Sequence, residues 1–92
     1  MDKAMKSRWV KALRSGRYVQ GKDRLKTAAG KYCCLGVVNQ VCRLGTPSRD
    51  PYLDDTALAK LGIFDEEQTA LATCNDEGVP FDMIAGLIHD AL

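Results

Sequence analysis

Four cysteines, one histidine and two runs of carboxylates are the residues of this 92-residue chain whose types suit catalysis or metal binding. A cysteine nucleophile needs a base to draw off its proton, and His89 is the only imidazole. His89 stands between Ile88 and Asp90, a position that fits the exposed edge of an amphipathic helix rather than a catalytic pair with Cys33. A zinc site would draw on Cys33, Cys34, Cys42, Cys74 or His89, yet the chain has no C-x2-C or H-x3-H pair, and adjacent cysteines seldom serve one tetrahedral ion. Asp54-Asp55 and Asp65-Glu66-Glu67 fall where helix N-termini favour acids, and no glycine pattern forms a phosphate loop. The residues therefore predict no catalytic group, no metal and no cofactor. The cysteines are expected as reduced, buried, small apolar side chains.

Charge is the stronger signal. Residues 1–31 hold ten Lys or Arg against two Asp, and residues 32–92 hold three against ten Asp or Glu, so a net +1 divides into +8 and −7. Cations interleaved with aromatic and amide groups are how proteins hold nucleotides and single strands. Arg14, Arg17, Tyr18, Gln20, Lys22, Arg24 and Lys31 are accordingly the predicted binding residues, with Lys26 and Tyr32 beside them. The competing expectation is that the two halves neutralise each other within the fold. A helix-turn-helix reading of the last two helices fails on charge, because residues 50–92 carry Lys60 as their only Lys or Arg.

The elements that must position these residues follow from periodicity. From Asp2 to Tyr18 the pattern is helical, with Met5, Trp9, Ala12 and Leu13 on an apolar arc, Lys3, Lys6, Lys11, Arg14 and Arg17 on another, and Gly16 closing the helix. Short strands at Arg24 to Lys26 and Lys31 to Cys33, joined by Thr27-Ala28-Ala29-Gly30, predict a small hairpin. A helix from Cys34 to Leu44 closes at Gly45, and Thr46 to Pro51 is a loop. Asp54 or Asp55 caps a short helix ending at Gly62, with Leu58 and Leu61 inward. Asp65 and Gln68 have capping-box spacing for a helix to about Thr73, Asn75 to Gly78 is a turn, and Pro80 opens a last helix facing inward through Phe81, Ile84, Ala85, Ile88 and Leu92. The predicted fold is α+β and mainly helical: one compact domain over 1–92, four or five short helices, and one β-hairpin at about residues 24–33.

A hydrophobic content of 46% and a charged content of 27% are those of a globular protein. No run approaches the roughly 20 apolar residues of a membrane helix, and MDKAMKSRW lacks an apolar signal core, so the expectation is a cytoplasmic protein with no membrane partner. The small core leaves room for a homodimer.

Four stretches carry a resemblance: WVKALRSGRYVQG (9–21), KYCCLGV (31–37), LAKLGI (58–63) and LATCNDEGVPFDMIA (71–85). Together they resemble a group of small, mostly uncharacterised proteins encoded by bacteriophages and prophages, with motifs W-x-x-A-L-R-S-G-x-Y-x-Q-G and Y-C-C-L-G-V. The chain departs from that pattern at Pro80 and Met83, where similar proteins tend to have Ser and Glu. The resemblance implies a phage-encoded accessory protein that binds rather than catalyses, in the host bacterial cytoplasm. The expected action is inhibition of a host protein or defence complex, as by an anti-CRISPR or other anti-defence protein. The alternatives are a nucleic-acid-binding regulator, with a nucleotide or nucleic acid as ligand, and a cysteine-dependent enzyme or zinc protein.

Overall fold

A computed structural model describes all residues from Met1 to Leu92. Five helices follow one another: α1 (Lys3–Arg14), α2 (Cys34–Val41), α3 (Asp55–Leu61), α4 (Asp65–Asp76) and α5 (Phe81–Ala91). None is long and apolar enough to cross a membrane. α1 packs most extensively on α5 and then on α2, while α4 closes the cluster against α2 and α5. All five contribute to one hydrophobic core, in which Trp9, Leu35, Leu61, Ile84 and Ile88 are fully buried.

α1 begins where Asp2 Oδ1 accepts the Met5 N–H at 2.8 Å, and it ends at Ser15, followed by Gly16 at φ +75°. Its buried face is Trp9, Val10 and Leu13; of the predicted arc Trp9 and Leu13 are buried, Met5 and Ala12 are partly buried, and Val10 joins them. Trp9 also donates its indole N–H to Cys34 O at 2.9 Å, so the polar tip of a fully buried ring is satisfied. α3 matches its predicted limits, with Asp54 Oδ1 accepting from Ala57 N and Gly62 left-handed at φ +78°. The backbone of Asp2 donates to Leu61 O, tying the start of α1 to the end of α3.

The predicted hairpin does not form, and the chain has no β-strand. Tyr32 makes two isolated bridges, one to Gln20 and one to Lys26. The reason lies in where the backbone donors go. Leu25 N and Lys26 N donate to Asp50 O and Ser48 O in the Thr46–Pro51 loop, while Tyr32 N donates to Val19 O at 2.8 Å and its carbonyl accepts from Gly21 N. Each intended strand thus bonds mainly to a third segment. What survives of the hairpin is the single antiparallel bridge between Lys26 and Tyr32 and the turn, with Thr27 N donating to Lys31 O and Gly30 N to Thr27 O.

Four helix limits also shift. α2 stops at Val41 rather than Leu44, because Arg43 turns to φ +51° and Asn39 exchanges two hydrogen bonds with the backbone of Thr46, pulling the chain into a loop. α4 is capped one residue early: Glu67 accepts the Phe64 N–H at 2.8 Å, while Gln68 donates to Asp65 Oδ1 at 2.9 Å and also bonds both backbone groups of Leu53. α4 then runs through the predicted Asn75–Gly78 turn as far as Asp76. Pro80 stands just outside α5 as its N-cap and makes no capping hydrogen bond.

Candidate functional site: a basic face without internal counter-ions

His89 Nδ1 and Asp90 Oδ1, 2.9 Å apart, are the only basic and acidic side-chain groups that meet within 4.0 Å in the structure. No Lys or Arg reaches an Asp or Glu at that distance, so the basic and acidic halves do not neutralise one another by direct contact. The cations of residues 1–31 lie on the surface, where water and an external anion are their available partners.

The seven predicted binding residues do not share one cleft. Arg14 is exposed on α1 and lines an open groove of about 730 Å3 between α1 and α5, together with Lys3, Lys6, Ser7, Lys11 and His89. Arg17 and Tyr18 line a second groove, about 510 Å3, on the other flank of α1 with Arg8 and Lys11. Arg24 sits at a third, smaller depression beside Asp23, Asp76 and Tyr52, where two carboxylates offset its charge. Lys22 and Lys31 are exposed and line none of these.

The aromatic part of the prediction is half structural. Tyr18 meets Tyr32 edge to face, with ring centroids 5.1 Å apart, and Lys26 Nζ stands 5.4 Å from the Tyr32 centroid. Both tyrosines are half-buried. Val19, between Tyr18 and Gln20, is the apolar side chain that this segment leaves in water, 61% exposed.

Gln20 has a structural use that its position in a basic stretch does not reveal. Its side-chain amide donates to Asn75 Oδ1 at 3.0 Å and to Val79 O at 2.7 Å. Asn75 is fully buried, and the same Oδ1 accepts from Cys34 N at 3.0 Å while Nδ2 donates to Gly21 O at 2.8 Å. This one side chain joins the basic segment, the start of α2 and the end of α4. The only sequence signal was Asn in a turn-like N-D-E-G run, which points to a surface loop instead.

The cysteines pack. Cys33 is the N-cap of α2, its sulfur accepting from Gly36 N, and Cys34 donates its thiol to Leu71 O at 3.5 Å. Burial pushes the Cys33 thiol above its ordinary value and that of Cys34 well above it, so both are held as neutral thiols rather than nucleophilic thiolates. Burial likewise raises Cys42, with Arg8 acting in the opposite direction. All four cysteines are free, and no three His, Cys, Asp or Glu side chains converge at metal-binding range.

Sequence reasoning placed Lys3, Lys6 and Lys11 on one arc of a helix but missed their groove. Its far side is His89 of α5, and the packing of α5 against α1 has no local signature.

Fold and surface together define a small five-helix protein with a basic helix exposed along both flanks. Residues 1–45, which carry α1, the basic segment and α2, match a family model described as a domain of unknown function, DUF8296. No curated protein and no solved structure matches the chain.

Proposed function

We propose that this protein acts by binding and not by catalysis, its basic surface engaging an anionic face of a host protein or defence complex. The observation that carries the reading is that no Lys or Arg has a carboxylate within 4.0 Å, which leaves the +8 of residues 1–31 directed outward. Surface cations of this kind raise association rates and select partners of opposite charge more than they stabilise a fold. The segment from Arg17 to Lys31 adds what a protein interface needs beyond charge. Exposed Val19 and the edge of Tyr18 provide apolar contact among Arg17, Lys22, Arg24 and Lys31.

The buried, neutral thiols support no nucleophile. Inhibition of a CRISPR or other defence complex, and a phage origin, rest on the resemblance of the W-x-x-A-L-R-S-G-x-Y-x-Q-G and Y-C-C-L-G-V stretches to phage proteins, an argument by analogy. The test is expression of the chain in a bacterium immune to an infecting phage, with plating efficiency as the readout. Rescue of phage plating, lost in Arg17→Glu plus Arg24→Glu while the variant stays folded, is the expected result. No rescue in any defended host counts against anti-defence action, and full rescue by the double variant counts against this surface.

A further inference from the structure

Lys3 and Lys6 occupy the first turn of α1, which contains no acid. The positive end of the helix dipole disfavours cations there, and Asp or Glu is the stabilising choice. The same two lysines line the α1–α5 groove with Lys11, Arg14, Ser7 and His89. Residues that break a local rule and converge on one concavity are the pattern expected where function, not folding, selects the side chain.

The chemistry of the lining separates one anion class from another. Lys, Arg and Ser supply hydrogen-bond donors, and no carboxylate lines the groove. Two acids flank it, Asp90 in contact with His89 Nδ1 and Asp2, the N-cap of α1, next to Lys3 in the chain. Val10 is the single apolar residue in the lining and is itself buried, and the imidazole of His89 is its one aromatic ring, with no Phe, Tyr or Trp. A protein partner binds through buried aromatic or aliphatic anchors, which this groove lacks, and single-stranded nucleic acid stacks successive bases on several rings, where this groove has His89 alone. A phosphodiester backbone needs neither. From Lys3 to Arg14 the helix rises about 16 Å, enough to face several successive phosphates of one strand.

We propose that the groove between α1 and α5 binds the phosphate backbone of a nucleic-acid duplex, without reading its bases, through Lys3, Lys6, Lys11 and Arg14. This surface adjoins the one that holds Arg17 and Tyr18, sharing Lys11 and Ser15 with it, and Lys3, Lys6, Arg14 and His89 belong to the α1–α5 groove alone. Four phosphate contacts at about 0.9 released counterions each give a slope of log affinity against log salt near −3.6.

The experiment is fluorescence anisotropy with a labelled DNA duplex of arbitrary sequence, about 20 base pairs long, titrated from about 50 mM to 200 mM salt. Wild-type protein is expected to bind at the low-salt end with that slope. Lys3→Ala/Lys6→Ala/Lys11→Ala is expected to weaken binding at least about tenfold and to bring the slope near −1, because one of four cations remains. Alanine is a strong helix former, so this variant should keep α1, with circular dichroism as the check. Arg49→Ala/Lys60→Ala removes charge outside the groove and is expected to bind like wild type. No duplex binding at low salt, an unchanged slope in the triple variant, equal loss in the control variant, or tighter binding to the single strand of the same sequence would each overturn the assignment.

Discussion

Gln20 and Asn75 lie 55 positions apart in the chain, yet the Gln20 side-chain amide donates to Asn75 Oδ1 at 3.0 Å. Through that bond the basic segment hangs on the end of α4, and through the bond from Cys34 N to the same oxygen so does the start of α2. Replacing Asn75 by Ala leaves Cys34 N, Gly21 O and one Gln20 donor without that partner in a buried site, where each unsatisfied group costs about 1–3 kcal/mol. Asn75→Ala is expected to lower unfolding stability by about 3 kcal/mol or more, read from the urea midpoint at unchanged slope. Gln20→Ala, whose site is only half-buried, should cost about 1 kcal/mol. Anion binding should survive Gln20→Ala, which separates this residue from its cationic neighbours.

Gly36 is set by close approach. A Cβ there would collide with the Leu25 carbonyl, and both residues are buried, so the α2 helix and the Leu25 backbone would have to separate. Gly36→Ala is expected to cost about 3 kcal/mol or to prevent folding, even though Ala is the better helix former by about 1 kcal/mol. A melting temperature equal to wild type would contradict the packing described here.

The buried thiols make stability depend on alkaline pH. Cys33 and Cys34 have thiols raised above the ordinary value of 9.0 in the folded chain, so just above that pH the unfolded chain loses protons that the folded chain keeps. The unfolded state then binds fewer protons, and stability falls as pH rises. Their contribution is fully present below about pH 8.5 and declines above it. Urea midpoints between about pH 8 and 10 should fall, and Cys34→Ala, though weaker overall, should show a shallower fall.

Thiol reactivity gives a second reading of the same burial. In the folded protein at neutral pH, Cys33 and Cys34 should be alkylated much more slowly than in urea, because the attacking species is the thiolate. Peptide mapping after a timed iodoacetamide pulse is the measurement, and prompt labelling of Cys34 would contradict its burial against Leu71.

Lys3 offers a trade between stability and binding. Lys3→Glu exchanges an unfavourable charge for a favourable one in the first turn of α1 and is expected to stabilise the fold by about 0.5–1 kcal/mol at low salt. The same change should weaken duplex binding. If the chain gains stability with no loss of affinity, the first-turn lysines are not there for an anion.

Much of the fold was legible because it is written locally. The apolar arc of Met5, Trp9 and Leu13 depends only on spacing along one helix, Asp54 and Gly62 mark the ends of α3 through their own backbone chemistry, and Phe81, Ile84, Ala85 and Ile88 show the inner face of α5. The hairpin failed for the complementary reason. A strand needs a partner at long range, and Leu25 and Lys26 found theirs in Ser48 and Asp50, a choice with no trace in the composition of either stretch.

For the site, sequence by itself determined that residues 1–31 are strongly basic, that Lys3, Lys6, Lys11 and Arg14 share a helical arc, and that the cysteines suit a core. Charge and period are properties of neighbours in the chain. Only the tertiary structure decided that His89 of α5 forms the far side of a groove along that arc, that Arg17 and Arg24 lie at different depressions, and that Gln20 turns inward to Asn75. It also left every Lys and Arg without a carboxylate in contact, because surface charges gain little from pairing in water and burial of Trp9, Ile84 and Ile88 had already set how the helices meet.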